Sequence, residues 1–269
     1  MSFSRATRAV LLAFTALVLL FVYAPLALVV LNSFNTSRTF EWPPPGYTTK
    51  WWSSALENPG ARDAIVVSVE VALVATAVAL VLGTMAALAL QRFRFFGRDT
   101  VSLLIILPIA LPGVVTGIAL ANAFLTMFGI ELGFFSLVVS HATFCIVTVF
   151  NNAIARLRRL GGNLEEASMD LGAGTFRTFW SVTLPMMRSA LLAGALLSFA
   201  LSFDEIIVTT FTAGTGIQTL PIWIYQNLFR PNQAPVVNVV AAALIVLSVI
   251  PIWLSQKLAG TDESVAAAR

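Results

Sequence analysis

Residues able to do chemistry are scarce in this chain. Thirteen Asp and Glu, one His and one Cys are spread over 269 residues. Two stretches gather acids with other polar groups at regular spacing. The first is EEASMDLGAGTFRTFWSVTLP, residues 165–185, with Glu165, Glu166, Asp170 and Arg177 among Gly172, Gly174 and Pro185. The second is LLSFALSFDEIIVTT, in which Ser198, Ser202, Glu205 and Thr209 recur at i, i+4, i+7 and i+11, one face of a helix. Asp204 lies about 100° round from Glu205. Carboxylates so placed can hold a cation or a basic side chain. Hydroxyls at helical spacing can line a wet cavity or bond a neighbouring helix. Covalent and metal chemistry are poorly provided for, because no Cys/His/acid cluster and no nucleophile with a paired base is visible. Neither lysine fits a phosphate-binding loop, which needs Gly-Lys-Ser/Thr: Lys50 follows Thr49 and Lys257 follows Gln256. The expectation is a chain that is not an enzyme, holds no metal and binds no cofactor of its own.

The elements that must position these residues follow from composition. The chain is 58% hydrophobic and 11% charged, against roughly 25% charged in a soluble domain. Its apolar residues fall in blocks at 9–31, 65–90, 101–128, 134–154, 189–212 and 236–258. A bilayer core needs about 20 such residues as a helix. The first block is too long for a signal peptide, whose apolar core is about 7–15 residues, and it runs into Asn32-Ser33-Phe34 without a cleavage site. Open sheet edges are not tolerated in lipid. The expected architecture is therefore all-α integral membrane, a single transmembrane domain over 1–269 with six spans. With the N-terminus inside, only Arg38, Lys50, Arg62 and Arg230 lie on outer segments. Arg5, Arg8, Arg92, Arg94, Arg98, Arg156, Arg158, Arg159, Arg177, Arg188, Lys257 and Arg269 are inner. The positive-inside rule then puts both termini and the 156–188 loop in the cytoplasm. The net charge of +3 reflects that bias. No basic helix with interleaved aromatics points to nucleic acid.

The loop at 156–188 is long for a connection. Glu165 and Glu166 open a short helical pattern through Leu171, the Gly172–Gly174 stretch breaks it, and Thr175 can cap a second helix with Phe176, Phe179, Trp180 and Val182 on an apolar face. An exposed aromatic edge beside acids suits docking of a soluble partner. On the outer side, Asn32–Ala64 carries Trp42, Tyr47, Trp51 and Trp52, either an aromatic belt at headgroup level or a platform for an external protein. LPIWIYQNLFR, residues 220–230, has the spacing of a short surface helix. Pro108 and Pro112 bend or unwind the third span, and Gly113 with Gly117 lets another helix approach closely. Cys145 reads as a small buried residue, and His141 as the donor or acceptor of an inter-helix hydrogen bond.

At the 165–185 loop the chain resembles the inner-membrane subunits of ATP-binding-cassette importers. Those subunits carry a cytoplasmic EAA, three residues, Gly, nine residues, Ile, one residue and Leu-Pro. Here Glu166-Ala167-Ser168 is followed by Met169-Asp170-Leu171, Gly172 and, nine residues on, Val182, Thr183 and Leu184-Pro185. Ser168 stands for an Ala and Val182 for the Ile. APLALVVLNSFN, LGTMAALAL, EEASMDLGA and SFALSFDE extend the likeness from about Tyr23 to Leu258, to the second-permease group of the spermidine/putrescine type. The resemblance implies a type I importer permease in a bacterial inner membrane, with an ATPase-docking loop. Glu166, Ala167 and Gly172 would be coupling residues, with Glu165 and Asp170 beside them. Its partners would be a second permease subunit, a cytoplasmic ATPase homodimer that binds the ATP and Mg, an extracytoplasmic substrate-binding protein and the lipid itself.

Two readings of the fifth span stand side by side. Asp204 lies about 24 Å along a helix from Arg188, in the outer third of a core of about 30 Å. Asp204 and Glu205, with Ser198, Ser202 and Thr209, either face a cationic cargo in the pathway or form a structural acid cluster at a helix seam. Other cargoes of the same class (ferric iron, thiamine, a phosphonate compound) and an ion-gradient carrier are the rival functions.

Overall fold

The computed structural model describes residues 4–39 and 41–247. Lys257, Arg269 and the part of the last expected span beyond Leu247 lie outside the described residues. Those that are described are overwhelmingly helical, and a single antiparallel bridge between Asn35 and Tyr47 is their only β pairing. In chain order the helices are α1 (Arg5–Asn32), α2 (Lys50–Glu57), α3 (Pro59–Arg92), α4 (Arg98–Ala110), α5 (Gly113–Asn122), α6 (Phe134–Leu160), α7 (Asn163–Asp170), α8 (Thr175–Thr178), α9 (Leu184–Phe203), α10 (Ile207–Thr212), α11 (Leu220–Asn227) and α12 (Ala234–Leu247). Two π turns, Ala123–Met127 and Phe179–Thr183, continue α5 and join α8 to α9.

Among the described residues four helical stretches are long and apolar enough to cross a bilayer: α1, α3, α6 and the run Thr175–Phe203. The third expected span, 101–128, is not one helix. It is α4 followed by α5 and its π turn, bent by 106° at Leu111–Pro112. The cause is local. Pro112 has no N–H to give back to Pro108, and Pro112 itself takes an extended conformation as the N-cap of α5.

The chain divides into two compact units, one of residues up to Arg62 with those from Ile224 onward, the other Asp63–Trp223. In the first, α1 is apolar throughout and has no buried residue, as a lipid-facing or partner-facing helix would. The loop after it is organised by Trp51, which is buried and donates its indole N–H to the Asn35 carbonyl at 2.9 Å. Phe34 stacks on Trp52. Trp42 and Tyr47 remain exposed. The loop's tryptophans therefore divide between an internal anchor and an outer surface, rather than forming one belt.

In the second unit α6 is the centre. Its C-terminal half packs Phe150, Ala153, Ile154 and Leu157 against Ala87 and Leu90 of α3 and Met187 of α9. Further along, Phe144, Cys145 and Val149 meet Ala79 and Val208. The glycine pair of α5 does admit a neighbour, and that neighbour is α10. A Cβ on Gly117 would sit 2.8 Å from the Phe211 ring, and one on Gly113 3.3 Å from Ile207. The expected surface helix at 220–230 forms as α11, but its first residue, Leu220, is fully buried, with its N–H donated to Ser68 at 2.8 Å.

Candidate functional site

The loop at 163–185 folds as helix, bend, helix. Glu165 and Glu166 occupy the first turn of α7, where the helix dipole favours negative charge. Its last turn closes with Gly172 N–H on the Met169 carbonyl at 2.9 Å and Ala173 N–H on Ser168 at 3.1 Å. Gly172 has φ of +85°, a left-handed conformation that glycine adopts without steric cost. The expected cap on the second helix is shifted by one residue. Gly174, extended, is the N-cap, and Thr175 is already the first helical residue and caps nothing.

The second helix does not stop at the loop. α8, the π turn and α9 form one helical run of 29 residues, Thr175–Phe203. The π turn lies just ahead of Leu184-Pro185, where the proline lacks the N–H that a regular α-helical turn would use. The loop's second arm is thus a rigid extension of the fifth span.

The two glutamates point in different directions. Glu166, Ala167 and Asp170 are exposed. So are Leu171 and Phe176, with Phe176 set edge-on to Trp180 at 6.1 Å. Glu165 turns inward. Its carboxylate pairs with the Arg92 guanidinium at the end of α3 and accepts from the Thr183 hydroxyl at 2.5 Å. Arg92 also donates to Thr183 at 3.1 Å. Ser168 and Thr178 bond across the bend at 3.1 Å. Arg92 entered the sequence reading only as one of many inner positive charges, and Thr183 only as a motif spacer. Nothing in their separation along the chain signals that they meet.

The second candidate region is built differently from the expected continuous stripe. α9 ends at Phe203, residues 204–206 are non-helical, and α10 begins at Ile207. The break is stabilised by Glu205, whose carboxylate accepts the Val208 N–H at 2.8 Å at the start of α10. Its own carbonyl accepts the Thr209 hydroxyl, also at 2.8 Å. Ser198, Ser202 and Thr209 are buried against α6. Ser198 donates to the Cys145 carbonyl at 3.2 Å. His141 bridges the break, with Nδ1 at 2.7 Å from Ser202 Oγ and Nε2 at 2.8 Å from Thr209 Oγ1. The Thr209 proton is committed to Glu205, so Nε2–H donates to Thr209 and Nδ1 accepts from Ser202. Asp204 is exposed at the break and Glu205 half-buried.

This arrangement, apolar spans with a rigid exposed loop and two broken helices, is that of an importer permease. The fold matches a chain of a bacterial ABC transporter involved in the import of the acidic polysaccharide alginate, with a TM-score of 0.70 over 97% of this chain and 99% of that one at 16% identity. Residues 79–259 match the binding-protein-dependent transport system inner membrane component family, and the chain belongs to that family. It is 36% identical over 240 residues, 89% of each chain, to the spermidine/putrescine transport system permease protein PotC of Escherichia coli K12. It is 34% identical to the putrescine transport system permease protein PotI of the same strain, over 84% of this chain and 82% of that one. PotC of Haemophilus influenzae is 34% identical over 91% and 94%. The chain is a transport permease of the membrane, not an enzyme, and the ion-gradient carrier is set aside.

Proposed function

We propose that this chain is one permease subunit of an ATP-driven polyamine importer. It supplies half of the pathway beside a second permease subunit, with six spans and both termini in the cytoplasm. An extracytoplasmic binding protein delivers the cargo, and a separate ATPase homodimer holds the ATP and Mg. The observation that carries the reading is the loop. Glu166, Ala167 and Asp170 stand exposed on α7 with Leu171 just beyond its end, Gly172 turns the chain, and the second arm runs unbroken into α9. A partner that moves α7 and α8 moves a span directly, which is what alternating access driven from outside requires. For the cargo, the support is the relatives' polyamine transport and the paired acids at the α9–α10 break. Polyamines carry ammonium groups that carboxylates host. Asp204 offers the free charge, Glu205 flanks it while capping α10, and Ser198, Ser202 and Thr209 hold the wall against α6.

Reconstitution with the ATPase, the second permease subunit and the binding protein tests both parts. A cysteine at Ala167 should cross-link to the ATPase, and ATP should drive uptake of spermidine or putrescine. An Ala167 cysteine that captures no ATPase in the active complex overturns the docking loop. ATP-driven uptake of ferric iron, thiamine or a phosphonate in place of polyamine overturns the cargo.

A further inference from the structure

We infer that Arg92, Glu165 and Thr183 form a positioning lock that ties the docking loop to the inner ends of two spans, so that motion of α7 reaches α3 as well as α9. The inference rests on the docking reading above and adds the path by which force leaves the loop. Three observations carry it.

The first is that Glu165 makes the one ion pair found among the described residues. The chain carries 16 Lys and Arg against 13 acids, and among the described residues the structure joins one pair, here. The second is its setting. The Arg92 and Glu165 side chains are 26% and 18% exposed and Thr183 is 1% exposed. A pair so withdrawn from water, with a hydroxyl closing the triangle, escapes most of the screening that makes surface pairs weak. The third is connectivity. Arg92 is the last residue of α3, Glu165 is in the first turn of α7, and Thr183 ends the π turn that leads into α9. The three elements meet at one point.

Without this point α7 would hang on its chain neighbours and the Ser168–Thr178 bond across the bend. The bend itself is a glycine in a left-handed conformation. Force applied to the exposed face of α7 would then leave it only through the glycine corners at its two ends, Gly161–Gly162 toward α6 and Gly172 toward α9, and would not reach α3 directly. With the lock, α3 is drawn too, and through the packing of Ala87 and Leu90 on Phe150 and Ala153 it carries α6 with it. Glu165 and Glu166 thus divide the work: Glu166 faces the partner and Glu165 fixes the arm on which it stands.

The test uses the complete reconstituted importer and two readouts, cross-linking of an Ala167 cysteine to the ATPase and cargo moved per ATP hydrolysed. Glu165→Gln and Arg92→Gln should keep the cross-link while cargo per ATP falls about five-fold or more, the lower end of ordinary coupling between sites. Because both variants break the same contact, Arg92→Gln/Glu165→Gln together should lose little more than either alone. Cargo per ATP at the unsubstituted level in both single variants, or losses that multiply in the double variant, overturns the lock while leaving the docking loop in place. Loss of the cross-link in the unsubstituted complex overturns the docking reading instead. Should the Arg92 variant fail to assemble, Thr183→Val decides. It keeps the shape of the side chain and removes the hydroxyl, and an unchanged ratio there also overturns the lock.

Discussion

Glu205 shows how one carboxylate can be read two ways. Its Oε1 accepts the Val208 N–H at 2.8 Å and so starts α10, a cap worth about 0.5–2 kcal/mol. Glu205→Ala should therefore destabilise the protein by about that amount in detergent unfolding, whereas Glu205→Gln keeps an acceptor oxygen and should lose less. Uptake separates the roles. If Glu205→Gln transports normally while Asp204→Asn does not, the cargo-facing charge is Asp204 and Glu205 is structural. Normal uptake in both variants removes the acids from the pathway. His141 gives a second residue-scale prediction. His141→Phe fills the space but strands the Ser202 hydroxyl, while Thr209 keeps its bond to the Glu205 carbonyl, and a buried polar group left unmatched costs about 1–3 kcal/mol. A lowered midpoint of thermal unfolding checks it. A single His on an apolar span announces that it will need partners, and it was legible to that extent. Which hydroxyls would meet it was not, because Ser202 and Thr209 lie on the two sides of a break that no glycine or proline marks.

At the scale of elements four of the apolar blocks, 9–31, 65–90, 134–154 and 189–212, were legible as long apolar helical stretches, since length and hydropathy alone set a span. The breaks were only half legible. Leu111–Pro112 has a proline to betray it, while 204–206 looks like uninterrupted helix until Glu205 is seen to bond Val208. The helix–bend–helix shape of the loop was legible, because a left-handed bend requires what Gly172 provides. That bend makes a graded prediction. A Cβ on Gly172 would meet nothing within 4 Å, so only the φ of +85° resists substitution. Gly172→Asn should be tolerated best and Gly172→Ala should cost about 1–2 kcal/mol. Gly172→Val, branched at Cβ, should be worst. The order of loss in ATP-driven uptake should follow the same series. Equal activity of the Val variant would show that the bend is not required. The contact between α5 and α10 obeys the opposite logic. There the space is closed, because a Cβ on Gly117 would lie 2.8 Å from the Phe211 ring, so bulk rather than backbone conformation is what Gly117→Leu would violate.

At the scale of the molecule, sidedness decides everything else, and it rests on charge. With the N-terminus in the cytoplasm, as proposed, only Arg38, Lys50, Arg62 and Arg230 would lie outside. Nearly the whole surface of α1 is exposed and apolar, with Phe14 at 67% and Phe21 at 80%. Such a surface is untenable in water and implies lipid or a second subunit around it. A cysteine survey can test the sidedness with little background, because Cys145 is the lone cysteine and is fully buried, with its Sγ 3.4 Å from the Ser198 carbonyl. In a Cys145→Ala chain, a cysteine at the exposed Tyr47 should react with a membrane-impermeant maleimide in cells whose inner membrane is intact. A cysteine at Ala167 should react only after that membrane is opened. Labelling of the Ala167 site in intact cells would turn the chain over and put Glu166 and Asp170 where no ATPase can reach them. It would also place Arg92, Arg94, Arg98, Arg156, Arg158 and Arg159 outside, against the bias that orients membrane chains. The docking loop, the lock behind it and the charge asymmetry would thus fall together on one adverse measurement, which needs neither cargo nor ATPase.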